Sequence, residues 1–171
     1  MPTETPIVVS ARHAGESDLI QLDRMYGALA DEQSAIREIW PDADGLAPPL
    51  DGAFRALIAA TDASVVIGEI DGIPVGFLIA MEEPLNAPRD AERIGSIRFI
   101  FTDHEARGVG VGAAMLSLAR EGLRGAGIRL FDARVSPGHR LAKNFFESHG
   151  FKARSITMHS ADHTGSGGDA A

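Results

Sequence analysis

Six residues carry the clearest chemical signal in this sequence: Arg107, Gly108, Val109, Gly110, Val111 and Gly112, three glycines at alternate positions behind an arginine. Glycine has no Cβ, so an anion can come close to the main-chain N–H groups. Beyond Gly112 the pattern turns helical, with Met115, Leu116, Ala119 and Leu123 on one stripe. A helix start adds unpaired N–H groups and the positive end of the helix dipole. Arg107 adds a forked, permanently charged donor that matches phosphate oxygens. The spacing predicts a phosphate or pyrophosphate cradle running from Arg107 to Ala113.

Three other readings fit parts of the same stretch. The glycines could serve only as a tight turn that lets a helix pack close to a strand. A P-loop would need Gly-Lys-Ser/Thr at its end, and Gly112-Ala113-Ala114 has neither Lys nor Ser/Thr. A dinucleotide fingerprint is met by Gly108, Gly110 and Ala113, with Asp132 downstream. There, however, the first glycine closes the strand itself, whereas here Asp103 to Arg107 intervene. That reading would make the protein a dinucleotide-dependent oxidoreductase.

The elements that position this loop can be read from periodicity. Ile94 to Thr102 is an apolar, aromatic run that reads as the strand feeding it. Upstream, Ile7-Val8-Val9 begins a strand, and Leu19, Leu22, Met25, Tyr26 and Leu29 recur at helical spacing to about Ala30. Asp31 to Asp51 reads as a short helical turn and an irregular loop, in which Trp40 is either a wedge on the core or a stacking surface. Two apolar runs on either side of Asp71-Gly72 predict a hairpin. A polar loop is expected over 82–92, strands over 128–135 and 151–159, and a helix from Arg140 to His149. The expected organisation is a frayed segment 1–6, one domain over 7–160 and a small, polar, disordered tail over 161–171.

Composition bounds the function. The 171 residues give a net charge of −8, with 44% hydrophobic and 23% charged residues and no cysteine. These values are ordinary for one globular domain. They argue against nucleic-acid binding, and they exclude disulfides, thiolate metal sites and a cysteine nucleophile. No signal peptide or membrane-length apolar run is visible, which makes a soluble cytoplasmic protein the default expectation. Asp103-His104-Glu105 has no metal-ligand spacing, so no metal is expected.

Arg107-x-x-Gly110-x-Gly112 fits the R/Q-x-x-G-x-G/A signature of the GNAT superfamily of N-acetyltransferases. A second stretch, Val135 to Phe151, resembles that family's V-x-x-x-N-x-x-A-x-x-F-Y-E-K-x-G-F landmark at Val135, Ala142, Phe145, Glu147, Gly150 and Phe151. The order of elements is also similar, from Val8 to Met158.

The resemblance implies an α/β fold: a mixed sheet of about six to seven strands, mostly antiparallel with one splayed parallel pair, flanked by about four helices. It implies acetyl-CoA as cosubstrate and direct attack by a primary amine of a small molecule or peptide. The loop from Arg107 to Ala113 would hold the pyrophosphate. Ile100, Phe101 and Thr102 would offer backbone groups to the pantetheine and thioester, with His139, Ala142 and Phe146 alongside. A homodimer would also be in keeping with the family.

Two landmark positions depart from the pattern. His139 replaces an asparagine that contacts the cofactor, and either takes over its hydrogen bond or caps the helix. Phe146 replaces a tyrosine that protonates the departing thiolate, and a phenyl ring has no proton to give. The place of the family's strand glutamate is taken by Ser96. Glu82, Glu83, Asp90 and Glu92 flank the strand, and Glu82 and Glu92 are the candidates for holding the acceptor. These departures leave a second possibility, a noncatalytic acyl-CoA-binding or sensor domain of the same fold.

Overall fold

A computed structural model of the chain describes residues 6–85 and 92–161. Asp90, most of the segment 1–6 and the tail beyond Ala161 lie outside the described residues. The chain forms β1 (Val9–His13), α1 (Leu19–Ile36), α2 (Trp40–Ala43), α3 (Leu50–Ala59), β2 (Ala63–Ile70), β3 (Ile73–Pro84), β4 (Arg93–Thr102), α4 (Val111–Gly125), β5 (Leu130–Ala133) and α5 (Arg140–Ser148). Two 3-10 turns, Glu16–Asp18 and His104–Ala106, lead into α1 and into the glycine loop.

The five strands lie in sequence order, β1-β2-β3-β4-β5. Neighbours are antiparallel except β4 and β5, which are parallel. A parallel pair needs a long crossover, and α4 supplies it. Alternation along the strands divides the core between the two faces. Val65, Ile67, Phe77 and Ile79 pack under α1, α2 and α3 with Leu22, Met25, Tyr26, Trp40 and Phe54. Val66, Leu78, Ala80 and Ile97 pack under α4 and α5 with Val111, Met115, Leu116, Ala119 and Phe146.

The mixed sheet and its single parallel pair match the expected architecture, with five strands rather than six to seven and five helices rather than four among the described residues. Three local expectations are corrected. First, residues 151–161 form no strand; Ile156 is 80% and Met158 88% exposed. Alternation alone does not make a strand when the segment has no neighbouring strand to pair with. Second, α1 runs on to Ile36, because nothing in Asp31–Ile36 breaks a helix. Third, β3 runs through Glu82 and Glu83 to Pro84, so these acids stand on a strand rather than in a loop. Trp40 proves to be the wedge: it is buried against Tyr26 and Phe99, with ring centroids 6.2 and 6.1 Å away.

Candidate active site

The site forms where β4 leaves β5. β5 pairs with Ile94 to Ile97 only, and Arg134 N–H closes the last contact on Ile97 O at 3.1 Å. The register of β4 against β3 shifts at the same place: Ile79 faces Phe99 and Ala80 faces Ile97, so Arg98 is an unpaired bulge residue. A bulge sharpens local twist and turns the strand away from its neighbour. Beyond it, β4 has β3 on one side and no β5 ladder on the other.

Which backbone groups face the opening follows from the ladder. Asp103 N–H donates to Val75 O at 2.7 Å. Alternation in an antiparallel pair then makes Phe101–Phe77 and Phe99–Ile79 hydrogen-bonded pairs. Phe101 therefore spends its N–H and C=O on β3, a correction to the expectation that it would offer them to a ligand. Ile100 and Thr102 point theirs into the opening. Thr102 O is taken by Arg107 Nε at 2.8 Å, which leaves Thr102 N–H and both groups of Ile100.

At the mouth of this opening lies the glycine loop. Gly108 has φ 82° and Gly110 φ 101°, left-handed conformations that favour glycine. A Cβ at either would meet nothing within 4 Å, so both backbones face open space. The first backward hydrogen bond of α4 is Ala114 N–H to Gly110 O at 3.0 Å. The N–H groups of Val111, Gly112 and Ala113 precede it and have no acceptor within the helix. Gly112 has a different reason to be small: a Cβ there would lie 3.1 Å from the Phe145 ring. The Val111 side chain is buried under the sheet, while Val109 is exposed. These amides and the open backbones make a cradle whose chemistry fits a diphosphate.

Arg107 is a brace. Its Nη2 donates to Glu32 Oε1 at 2.6 Å, and its guanidinium lies 5.7 Å from the Phe101 ring centroid. Two of its nitrogens are thus committed to α1 and to the end of β4. The other oxygen of Glu32 lies 4.0 Å from His139 Nε2. His139 Nδ1 accepts Ala142 N–H at 3.2 Å, so it caps α5 and carries its proton on Nε2. Ser136 Oγ donates to Gln33 Oε1 at 2.6 Å, so the end of α1 also holds the loop before α5.

The remaining candidates separate. Ala142 is half-buried at the start of α5. Phe146 is 3% exposed and packs edge-on to Phe145 and Phe151, so its ring belongs to the core. Ser96 is buried between Met81 on β3 and Asp132 on β5. Glu82 pairs with Arg93 at 3.0 Å and lines a cavity whose wall also includes Ile58, Asp62, Val65 and Leu123. Glu92 is exposed at the foot of β4. Neither acid is brought to the opening. Glu83, one residue on, takes the other face and meets Arg98 and Arg134. Arg98, Arg134 and Glu32 were not picked out by sequence reasoning, and Glu83 only as one of four acids flanking the strand. The one available signal was an arginine, Arg98, interrupting an apolar strand.

Residues 25–151 match the acetyltransferase (GNAT) family. The chain belongs to that family. Among solved structures, a transcriptional regulator from Bacillus halodurans C-125 is similar at 23% identity, with a TM-score of 0.71 over 90% of this chain and 100% of the other. AAC(6')-Iy, solved with the bisubstrate analogue CoA-S-monomethyl-acetylneamine, is similar at 16% identity and a TM-score of 0.70, over 91% and 98%. A ribosomal-protein-alanine N-acetyltransferase from Brucella melitensis biovar Abortus 2308 gives 18% identity and a TM-score of 0.64, over 91% and 100%. At these identities the likeness is one of fold. No curated protein matches the sequence. Within the GNAT frame, the bulge at Arg98, the parting of β4 from β5 and the glycine loop follow one another at the C-terminal end of β4. Among the described residues, no helix is long and apolar enough to cross a membrane.

Proposed function

We propose that the protein is an acetyl-CoA-dependent N-acetyltransferase acting on a primary amine of a small molecule or peptide. The observation that carries this is the alignment of two features along one edge. The open backbones of Gly108 and Gly110 and the amides of Val111 to Ala113 lead to the N–H and C=O groups of Ile100 and the N–H of Thr102. Acetyl-CoA would supply an acetyl group on a thiolate leaving group. The loop amides would hold the diphosphate, with Arg107 fixing the loop against Glu32. Ile100 C=O and Thr102 N–H would hold the pantetheine as an added strand does. Ile100 N–H would face the thioester oxygen as charge develops on it, where a preorganised donor counts most.

Neighbours with amine acceptors, such as the ribosomal-protein-alanine N-acetyltransferase, support the class of reaction. A noncatalytic acyl-CoA sensor is the second reading, favoured by Phe146 lying in the core and by Ser96 at the strand-glutamate position. Thermal shift with acetyl-CoA, NAD and NADP tests the cofactor, since a ligand that binds the native state raises the melting temperature. Stabilisation by acetyl-CoA alone is expected, and Gly110→Val should abolish it. CoA release with a panel of amines then separates enzyme from sensor.

A further inference from the structure

The opening has a second wall, on the α1 side of the sheet, where two arginines converge. Arg98 is the bulge residue of β4, and its guanidinium lies 6.0 Å from the Phe99 ring centroid. Arg134 directly follows β5. The two come from opposite sides of the parting strands and share one carboxylate: Arg98 Nη1 is 3.3 Å from Glu83 Oε1, and Arg134 Nη2 is 3.6 Å from Glu83 Oε2. Arg134 Nη1 is also 4.0 Å from Asp44 Oδ1, just past α2.

These contacts are loose. Other arginine–carboxylate pairs in the chain are much closer: Arg107–Glu32 at 2.6 Å, Arg12–Glu69 at 2.7 Å, Arg24–Asp103 at 2.9 Å and Arg93–Glu82 at 3.0 Å. A guanidinium carries five N–H donors in a fixed fork, and one carboxylate cannot engage two such forks in bidentate fashion. Donors are therefore left over, and they belong to residues that flank the opening.

Arg98 stands two residues, about 7 Å along the strand, before Ile100. An anion held by its guanidinium, on the α1 side of the same strand segment, would lie near an amine presented to a thioester at Ile100 N–H. We infer that the acceptor carries a carboxylate beside its amine, as an amino acid does, and that Arg98 and Arg134 bind that carboxylate. This rests on the acetyltransferase reading and names its substrate class. Glu83 serves as the counter-ion that keeps both arginines in place between turnovers. The neutral amine nitrogen forms the new N–C bond as the C–S bond breaks, and the proton it sheds goes to the departing thiolate.

The test uses the full chain, acetyl-CoA and matched acceptors: the common L-amino acids, their amides, their decarboxylated amines, and spermidine. At least one amino acid should be acetylated, with kcat/KM about 10- to 100-fold above its amide and its decarboxylated amine, the range for losing a charged hydrogen bond. Arg134→Gln and Arg98→Gln should raise the KM of that acid by a similar factor and leave the KM for acetyl-CoA in place. Each should erase the preference for acid over amide, and Arg134→Lys should restore part of it. Turnover confined to spermidine, amides or other amines without a carboxylate would overturn the inference. So would equal losses for acid and amide in the variants. If acetyl-CoA stabilises the protein but no amino acid is acetylated, this inference falls and the cofactor site stands. If acetyl-CoA neither binds nor is consumed, both fall.

Discussion

Arg107 Nη2 donates to Glu32 Oε1 at 2.6 Å across 75 positions of sequence, tying the glycine loop to the last turns of α1. Nε of the same side chain holds Thr102 O at 2.8 Å, so one guanidinium fixes the loop, the end of β4 and a helix relative to one another. Both partners are about one-third exposed or less, so solvent screens the pair. A double-mutant cycle of Glu32→Gln and Arg107→Gln should give a coupling energy of about 0.5–1 kcal/mol by chemical denaturation. The larger effect should be on ligand: Arg107→Lys keeps the charge and loses the fork, and should weaken acetyl-CoA binding about tenfold by calorimetry. Unchanged affinity would show that the loop keeps its shape without the brace.

The seat of α4 on the sheet depends on small residues below it. A Cβ at Gly68 would lie 2.5 Å from Val111 Cγ1 and 2.8 Å from Met115 Sδ. Gly68→Ala should therefore destabilise the fold by about 1–3 kcal/mol through overpacking. Because Val111 opens the helix whose start forms the cradle, the same substitution should weaken acetyl-CoA binding. Adding Val111→Ala should recover part of the stability lost by Gly68→Ala, read as a Tm higher than the sum of the single losses predicts. Strict additivity would contradict this packing account.

Asp18 ties β1 to the start of α1. It accepts both terminal nitrogens of Arg12 at 2.8 Å and Gly15 N–H at 2.8 Å. The Arg12 hydrogen bonds hold its carboxyl below the ordinary aspartate value, opposed by burial. A carboxyl whose folded pKa is lowered binds protons more readily in the unfolded state. Its stabilising contribution is therefore complete above the unfolded pKa and lost as pH falls through the folded one. Asp18→Asn should lower stability at neutral pH by about 1–3 kcal/mol, since it removes a buried carboxylate from a half-exposed arginine and a backbone N–H. The gap between variant and parent should close as pH drops below about 4. A gap independent of pH in urea titrations would assign the loss to packing instead.

The hairpin, the α4 crossover and the glycine loop were all legible in the sequence, because each is written in local chemistry: Asp71-Gly72 at a turn, a helical stripe from Met115 to Leu123, glycines where φ is positive. What escaped depended on register. A strict period of two would put Ile97, Phe99 and Phe101 on one face of β4. The bulge at Arg98 instead sends Ile97 to the α4 side and both phenylalanines to the α1 side. The same parity decides that Glu83, and not Glu82, reaches the opening. Glu32 falls in the stretch after Ala30 that reads as irregular by sequence, and its partner Arg107 is joined to it only by the fold. The segment 151–159 alternates like a strand, yet a strand is defined by its partner and this one has none among the described residues.

The most direct measurement is a crystal structure of the protein with acetyl-CoA. The diphosphate should sit on the amides from Gly110 to Ala113, with the pantetheine hydrogen-bonded to Ile100 and Thr102 and the thioester oxygen within reach of Ile100 N–H. A diphosphate bound elsewhere, or a pantetheine that bypasses the free edge of β4, would contradict the account.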